Sequence, residues 1–190
     1  MAEKKSNKIV LIAVAALALV GASVYGYMKY LPEGTQEARK VAVSENLLTK
    51  AKQAELEGDT DGALKYYQEY LDINATPPNN NTQPAIGGVY ASMGNIYFKQ
   101  LKYPKAIEFL KKGLDHSSKY GDKNSLETAK NWFALASIYD KQGEVQMALD
   151  NYKNSQAIQV KLGGDTGKVD KVIDELEDYM VNAKLQTRSS

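Results

Sequence analysis

Three stretches of this chain hold residues whose types and spacing suggest chemistry, and each lacks part of the set that its chemistry needs. Gly163-Gly164-Asp165-Thr166-Gly167-Lys168 has the glycines and lysine of a loop that wraps phosphates in backbone N–H groups. Such a loop needs one more residue between its glycines, a strand before it and a magnesium-binding hydroxyl where Val169 stands. The expected reading is a helix stop and restart. Gly58-Asp59-Thr60-Asp61-Gly62 spaces two carboxylates as calcium ligands, but it lacks the length and closing glutamate of a calcium loop, so Asp59 is expected to cap a helix. His116 is the single histidine, which leaves no histidine pair for a metal or a proton relay. It is expected near the end of a helix, where partial positive charge is favourable.

The chain has no cysteine, which excludes a disulfide framework, a thiol nucleophile, a cysteine zinc cluster and a lipid-bearing cysteine. No nucleophile, metal set or acid–base pair assembles, so the expectation is a protein that is not an enzyme, with no catalytic residue, metal or cofactor. Net charge is +1, and the residues after the first 28 sum to −1, which gives no footprint for nucleic acid. With 190 residues and 43% hydrophobic content, one domain with a core and an appendage is expected.

The elements that organise these residues are helices at a fixed repeat. From Trp132 the chain reads Trp132-x-x-Leu135-Ala136-x-x-Tyr139, then Gly143, Ala148 and Tyr152. These steps put apolar residues on one side of each of two helices hinged at Gly143. Ala63, Ala106 and Ala148 recur at intervals of 43 and 42 residues. Five residues before them stand Gly58, Leu101 and Gly143; nine before, Ala54, Tyr97 and Tyr139; twelve before, Ala51, Gly94 and Ala136. Small residues recur where helices approach closely, and aromatics where a gap needs filling.

The spacing from Trp132 to Tyr152 resembles one whole tetratricopeptide repeat, and the resemblance extends over Ser44 to Leu162. The second copy carries Tyr90, Met93, Gly94, Tyr97 and Ala106; the first departs most, with Leu47 in place of the tryptophan and Lys50 in place of the leucine. The resemblance implies an all-α tetratricopeptide-repeat solenoid: three helix pairs at about 44–76, 84–121 and 125–162, closed by a capping helix over 163–186. Ala63, Gly94, Tyr97, Ala106, Trp132, Leu135, Ala136, Tyr139, Ala148 and Tyr152 are its packing residues. The period exceeds the family's usual ~34 residues, as in the long-repeat branch of bacterial regulators and eukaryotic light-chain and polarity adaptors, so helices about a turn longer are expected.

One segment precedes the repeats. Ile9 to Met28 is a run of 20 residues without charge, which as a helix spans about 30 Å and matches a bilayer's hydrocarbon. Lys4, Lys5 and Lys8 before it favour a cytoplasmic N-terminus over residues 1–8, and Tyr25, Tyr27 and Tyr30 resemble an interfacial belt. The expectation is a transmembrane helix over 9–28 that places the repeats in the periplasm of a bacterial inner membrane. The rival is a signal peptide cleaved near Ala22, with secretion of the rest.

Leu31-Pro32-Glu33-Gly34 reads as a hinge within 29–43, where the first helix also starts. Asn74 to Gln83, with Pro77 and Pro78, reads as a long loop. Pro84 and Pro104 suit first helical turns, and Asn124-x-x-Glu127 reads as a capping box. After 163–167, Val169, Val172, Ile173, Leu176, Met180 and Ala183 form the stripe of the capping helix, and 187–190 reads as a disordered tail.

In this family the first helices of the pairs form a concave ligand face. Counting from the aligned alanines puts Leu48, Lys52 and Glu55 there, then Ala91, Asn95, Phe98 and Lys99, then Phe133, Ser137, Asp140 and Lys141, with Lys130 at the rim. The resemblance implies a groove for a peptide or protein partner, with Phe98 and Phe133 as anchors and the lysines meeting carboxylates. Some members clamp chaperone C-termini with lysine, asparagine and arginine, a set that Leu48, Lys52 and Ala134 leave incomplete here. The expected function is a membrane-anchored protein-interaction scaffold of an envelope assembly, secretion or chaperone complex. The alternative is a structural repeat protein that stacks with copies of itself as a homo-oligomer.

Overall fold

The computed structural model describes residues 33–74, 83–121 and 123–189, and these contain seven α-helices. In chain order they are α1 (Glu33–Glu57), α2 (Thr60–Asn74), α3 (Gln83–Lys99), α4 (Tyr103–Tyr120), α5 (Leu126–Lys141), α6 (Val145–Lys161) and α7 (Gly167–Ser189). The expected anchor, Ile9 to Met28, lies outside the described residues, as do 75–82 of the long loop. Among the described residues no helix is long and apolar enough to cross a membrane. The chain forms two compact units, residues 1–47 and 48–190. In the first, Ser44 Oγ donates to the Lys40 carbonyl at 2.7 Å, one turn back on α1.

Two boundaries differ from expectation. Glu33 and Gly34 belong to α1 rather than to a hinge, because one glycine costs a helix only about 1 kcal/mol and the rest of this 25-residue helix outweighs it. Helix α7 continues to Ser189 through residues read as a tail, since no glycine or proline follows Gly167 to stop it.

The turns between paired helices share one geometry. The Asp59 N–H donates to the Ala54 carbonyl, Lys102 to Tyr97 and Glu144 to Tyr139, each across a residue with positive φ: Gly58 at 79°, Leu101 at 59° and Gly143 at 77°. Gly163 at 66° closes α6 in the same way, with Gly164 N–H on Gln159 O. This left-handed ending satisfies carbonyls that a helix terminus leaves open. Gly163 and Gly164 therefore serve a helix stop, and Gly167 opens α7. Asp165 Oδ1 accepts from Gly167 N–H at 2.8 Å, and Thr166 Oγ1 donates to Asp170 at 2.8 Å.

Caps set the helix starts. Asp59 Oδ1 accepts from Gly62 N–H at 2.9 Å, which commits that carboxylate to α2. At α5 the cap is Ser125, one residue after the expected Asn124: its backbone is extended and its Oγ accepts from Thr128 N–H at 3.1 Å. Asn124 instead accepts from Lys161 Nζ at 3.4 Å.

From α2 onward each helix packs on the next: α2 on α3, α3 on α4, α4 on α5, α5 on α6 and α6 on α7. Ala106, Leu110, Leu135, Ala136, Ile138, Ala148, Tyr152, Val169 and Ile173 form a continuous core across α4 to α7. Close approach is sharpest at Gly94, where an added Cβ would lie 2.7 Å from Leu110 Cγ. In the next pair the equivalent Ala136 and Ala148 are fully buried. On α7, Val169 and Ile173 are buried and Val172, Leu176 and Met180 pack partly on the same core, so the expected stripe is used within the chain.

His116 corrects the sequence reading of its charge. It stands on α4 with its ring 4.9 Å from Tyr120 and 6.5 Å from Tyr90. Burial pushes its pKa below the ordinary imidazole value, and nearby Lys119 adds to the shift. Loss of hydration and the lysine's like charge outweigh the helix end.

Two outcomes follow for stability. Leu101 is 69% exposed and holds a left-handed φ that costs a non-glycine residue about 1–2 kcal/mol, so Leu101→Gly should raise stability by about 1 kcal/mol in denaturant melts. For His116 the depressed pKa means that its neutral form favours folding. That contribution is complete above the unfolded-state pKa of about 6.5 and fades as pH falls through the lower folded value. Melts at pH 7.5 and across pH 6.5 to 5 should show an acid loss that His116→Gln reduces.

Candidate ligand-binding face

The first helices of the first two pairs are linked through α2. Tyr67 on α2 donates its hydroxyl to Glu55 Oε1 on α1 at 2.5 Å, and it also hydrogen-bonds Ser92 on α3. Burial pushes its pKa well above the ordinary phenol value and the Glu55 hydrogen bond raises it further, so the hydroxyl stays protonated as a donor. This chain ties α1, α2 and α3 together, and α3 in turn contacts α5. A second tie links the turns, where Gln100 Nε2 donates to Thr60 Oγ1 at 3.0 Å.

The residues expected on this face divide into two groups. Lys52, Lys99, Lys130, Asp140 and Lys141 are exposed, and Leu48 and Asn95 are half-buried. Ala91 is fully buried, against expectation: a Cβ on Gly113 of α4 would lie 3.4 Å from Ala91 N, so this position faces the partner helix. Glu55 is engaged by Tyr67. Ser137 Oγ donates to Phe133 O at 3.0 Å and lies 3.1 Å from the Tyr152 hydroxyl, which must then be the donor between them.

The two phenylalanines are half-buried and support the fold. The Phe133 ring meets Tyr152 edge-on at 5.1 Å, and Phe98 lies 6.1 Å from Tyr103. Both pack against the core, so truncating either removes packing along with any anchor. The expected packing residues Ala63, Gly94, Ala106, Leu135, Ala136, Tyr139, Ala148 and Tyr152 are buried, while Tyr97 and Trp132 are half-buried. Sequence reasoning missed Tyr67 and Ser92 as the link across the face. A tyrosine on the second helix facing a hydroxyl on the next first helix was the available signal.

What remains exposed is four lysines and one aspartate, on α1, α3 and α5. Lys52, Lys99, Lys130 and Lys141 make no ion pair among the described residues. Among the described residues no group of three acidic, histidine or cysteine side chains is placed to hold a metal. The arrangement offers hydrogen bonds and positive charge to a ligand, with no nucleophile or acid–base pair.

A family model described as tetratricopeptide repeat matches residues 87–159. No curated protein matches the chain in sequence. Among solved structures the chain is similar to BtubC (BKLC) from P. vanneervenii, with 24% identity over 68% of this chain and a TM-score of 0.55. It spans 54% of the length of that protein. It is also similar to the N-terminal domain of stress-induced protein-1 from C. elegans, with 16% identity, coverage of 73% of this chain and 97% of that one, and a TM-score of 0.58. The TPR2B domain of yeast Sti1, in its pHsp70 complex, is similar with 16% identity, 73% and 98% coverage and a TM-score of 0.56. Residues 87–159 thus carry the tetratricopeptide repeat pattern, and the described helices have the fold of a tetratricopeptide-repeat solenoid.

Proposed function

We propose that this protein is a non-catalytic protein-interaction scaffold that binds an acidic peptide segment across α1, α3 and α5. The observation that carries the reading is the run of exposed lysines, Lys52, Lys99, Lys130 and Lys141, on the helices that share this face. Positive groups spaced along one surface draw in and orient carboxylates. The similar Sti1 domain in complex with pHsp70 supports peptide binding as a use of this fold. The 42- to 43-residue period supports a further proposal, that the protein resembles the long-repeat branch of the family.

The scaffold is further proposed to be anchored by residues 9–28 in a bacterial inner membrane, with its repeats in the periplasm, in an envelope assembly, secretion or chaperone complex. The uncharged run of 20 residues with lysines before it supports this. A self-stacking homo-oligomer is the second reading, favoured by Tyr179 and Val181 on α7, which are 62% and 55% exposed. Sizing the full chain across concentrations separates the two, since self-stacking needs no partner.

Two measurements test the proposal. Lys99→Glu and Lys141→Glu should each lower affinity for a library of acidic ten-residue peptides by about three- to tenfold, read by fluorescence anisotropy, and flatten its salt dependence. Unchanged affinity in both variants would rule out this face. For the anchor, the full chain should remain in the membrane fraction after a carbonate wash, and a mature N-terminus at Ser23 would refute retention.

A further inference from the structure

The second and third repeats differ at one packing position, and the difference leaves an opening. The 42-residue period that relates Ala106 to Ala148 also relates Tyr90 to Trp132, Tyr97 to Tyr139 and Phe109 to Asn151. In the second repeat the Phe109 ring fills the space over the first helix, with its centroid 6.2 Å from Tyr90 and 5.3 Å from Tyr97. In the third repeat Asn151 takes that position and turns back on its own helix, donating Nδ2 to Met147 O at 2.6 Å. Among the described residues no ring pairs with Trp132 or Tyr139, and a cleft of about 350 Å³ opens between α4, α5 and α6 with these residues, Leu114 and Leu135 in its lining.

We propose that this cleft is a socket for one aromatic side chain, phenylalanine or tyrosine, presented by a peptide segment of a partner protein. The chain itself shows what fits, because an aromatic ring occupies the equivalent place one repeat earlier. The volume leaves room for such a ring. Charge agrees as well. Lys111 and Asp115 stand one helical turn apart in the lining and sum to zero, which suits an uncharged ring over an acidic or basic side chain. None of Lys52, Lys99, Lys130 and Lys141 is in its lining, so the socket is a separate site from the lysine face.

Trp132 is the only tryptophan, so its emission in the full chain reports the cleft alone. Titration with N-acetyl-phenylalanine amide should give a saturable change, with N-acetyl-alanine amide weaker by about tenfold or more. Asn151→Phe recreates the second-repeat arrangement and should abolish the response with an unchanged far-UV circular dichroism spectrum. An equal response to the alanine amide, no response, or a full response in folded Asn151→Phe overturns the proposal. Should Asn151→Phe misfold, the unaltered chain still decides. The Trp132 indole and Asn151 side-chain amide signals in a two-dimensional NMR spectrum should move together on titration, and movement confined to other residues overturns it. Emission that changes with protein concentration alone assigns the socket to a second copy of the chain and likewise overturns it.

Discussion

Two helices can pair closely only where side chains are small, and the repeat architecture depends on that constraint. At Gly94 no Cβ fits against Leu110, and the next pair closes over the fully buried Ala136 and Ala148. Dispersion falls steeply with separation, so a small residue at the crossing lets the flanking larger ones reach full contact. Tyrosines and leucines around the crossing then fill the space, and the left-handed turns fix where each second helix starts.

Much of this was legible in the chain because its signals are local and periodic. Gly58 and Gly143 mark turns by a backbone conformation that glycine enters freely, and Asp59 and Pro104 mark starts by chemistry that acts within one helical turn. Leu101 was placed at a turn only through the spacing of its neighbours, because leucine itself argues against the left-handed conformation it adopts. The shift of the α5 cap from Asn124 to Ser125 depends on which side chain reaches the Thr128 N–H, a matter of one residue's rotation.

What could not be read depended on more than one helix at a time. Ala91 belongs to the ligand face by count, yet it lies under α4 because Gly113 lets that helix approach. His116 looked suited to positive charge from its place on α4, and only the surrounding rings and Lys119 show why the neutral form is favoured. The engagement of Glu55 with Tyr67, and of Phe133 with Tyr152, likewise removes groups from a face that periodicity alone made richer. The lysines stayed available because no acidic side chain among the described residues lies close enough to pair with them.

The neighbour-to-neighbour packing from α2 to α7 also shapes how the chain acquires its structure. Each helix pair closes over a short loop, so little chain entropy is lost before the first contacts repay it, and low contact order favours rapid folding. With no single long-range contact required, order can begin at any well-packed pair and spread outward one helix at a time. The α5–α6 pair, with its capped start, its glycine turn and a core reaching neighbours on both sides, is the natural seed.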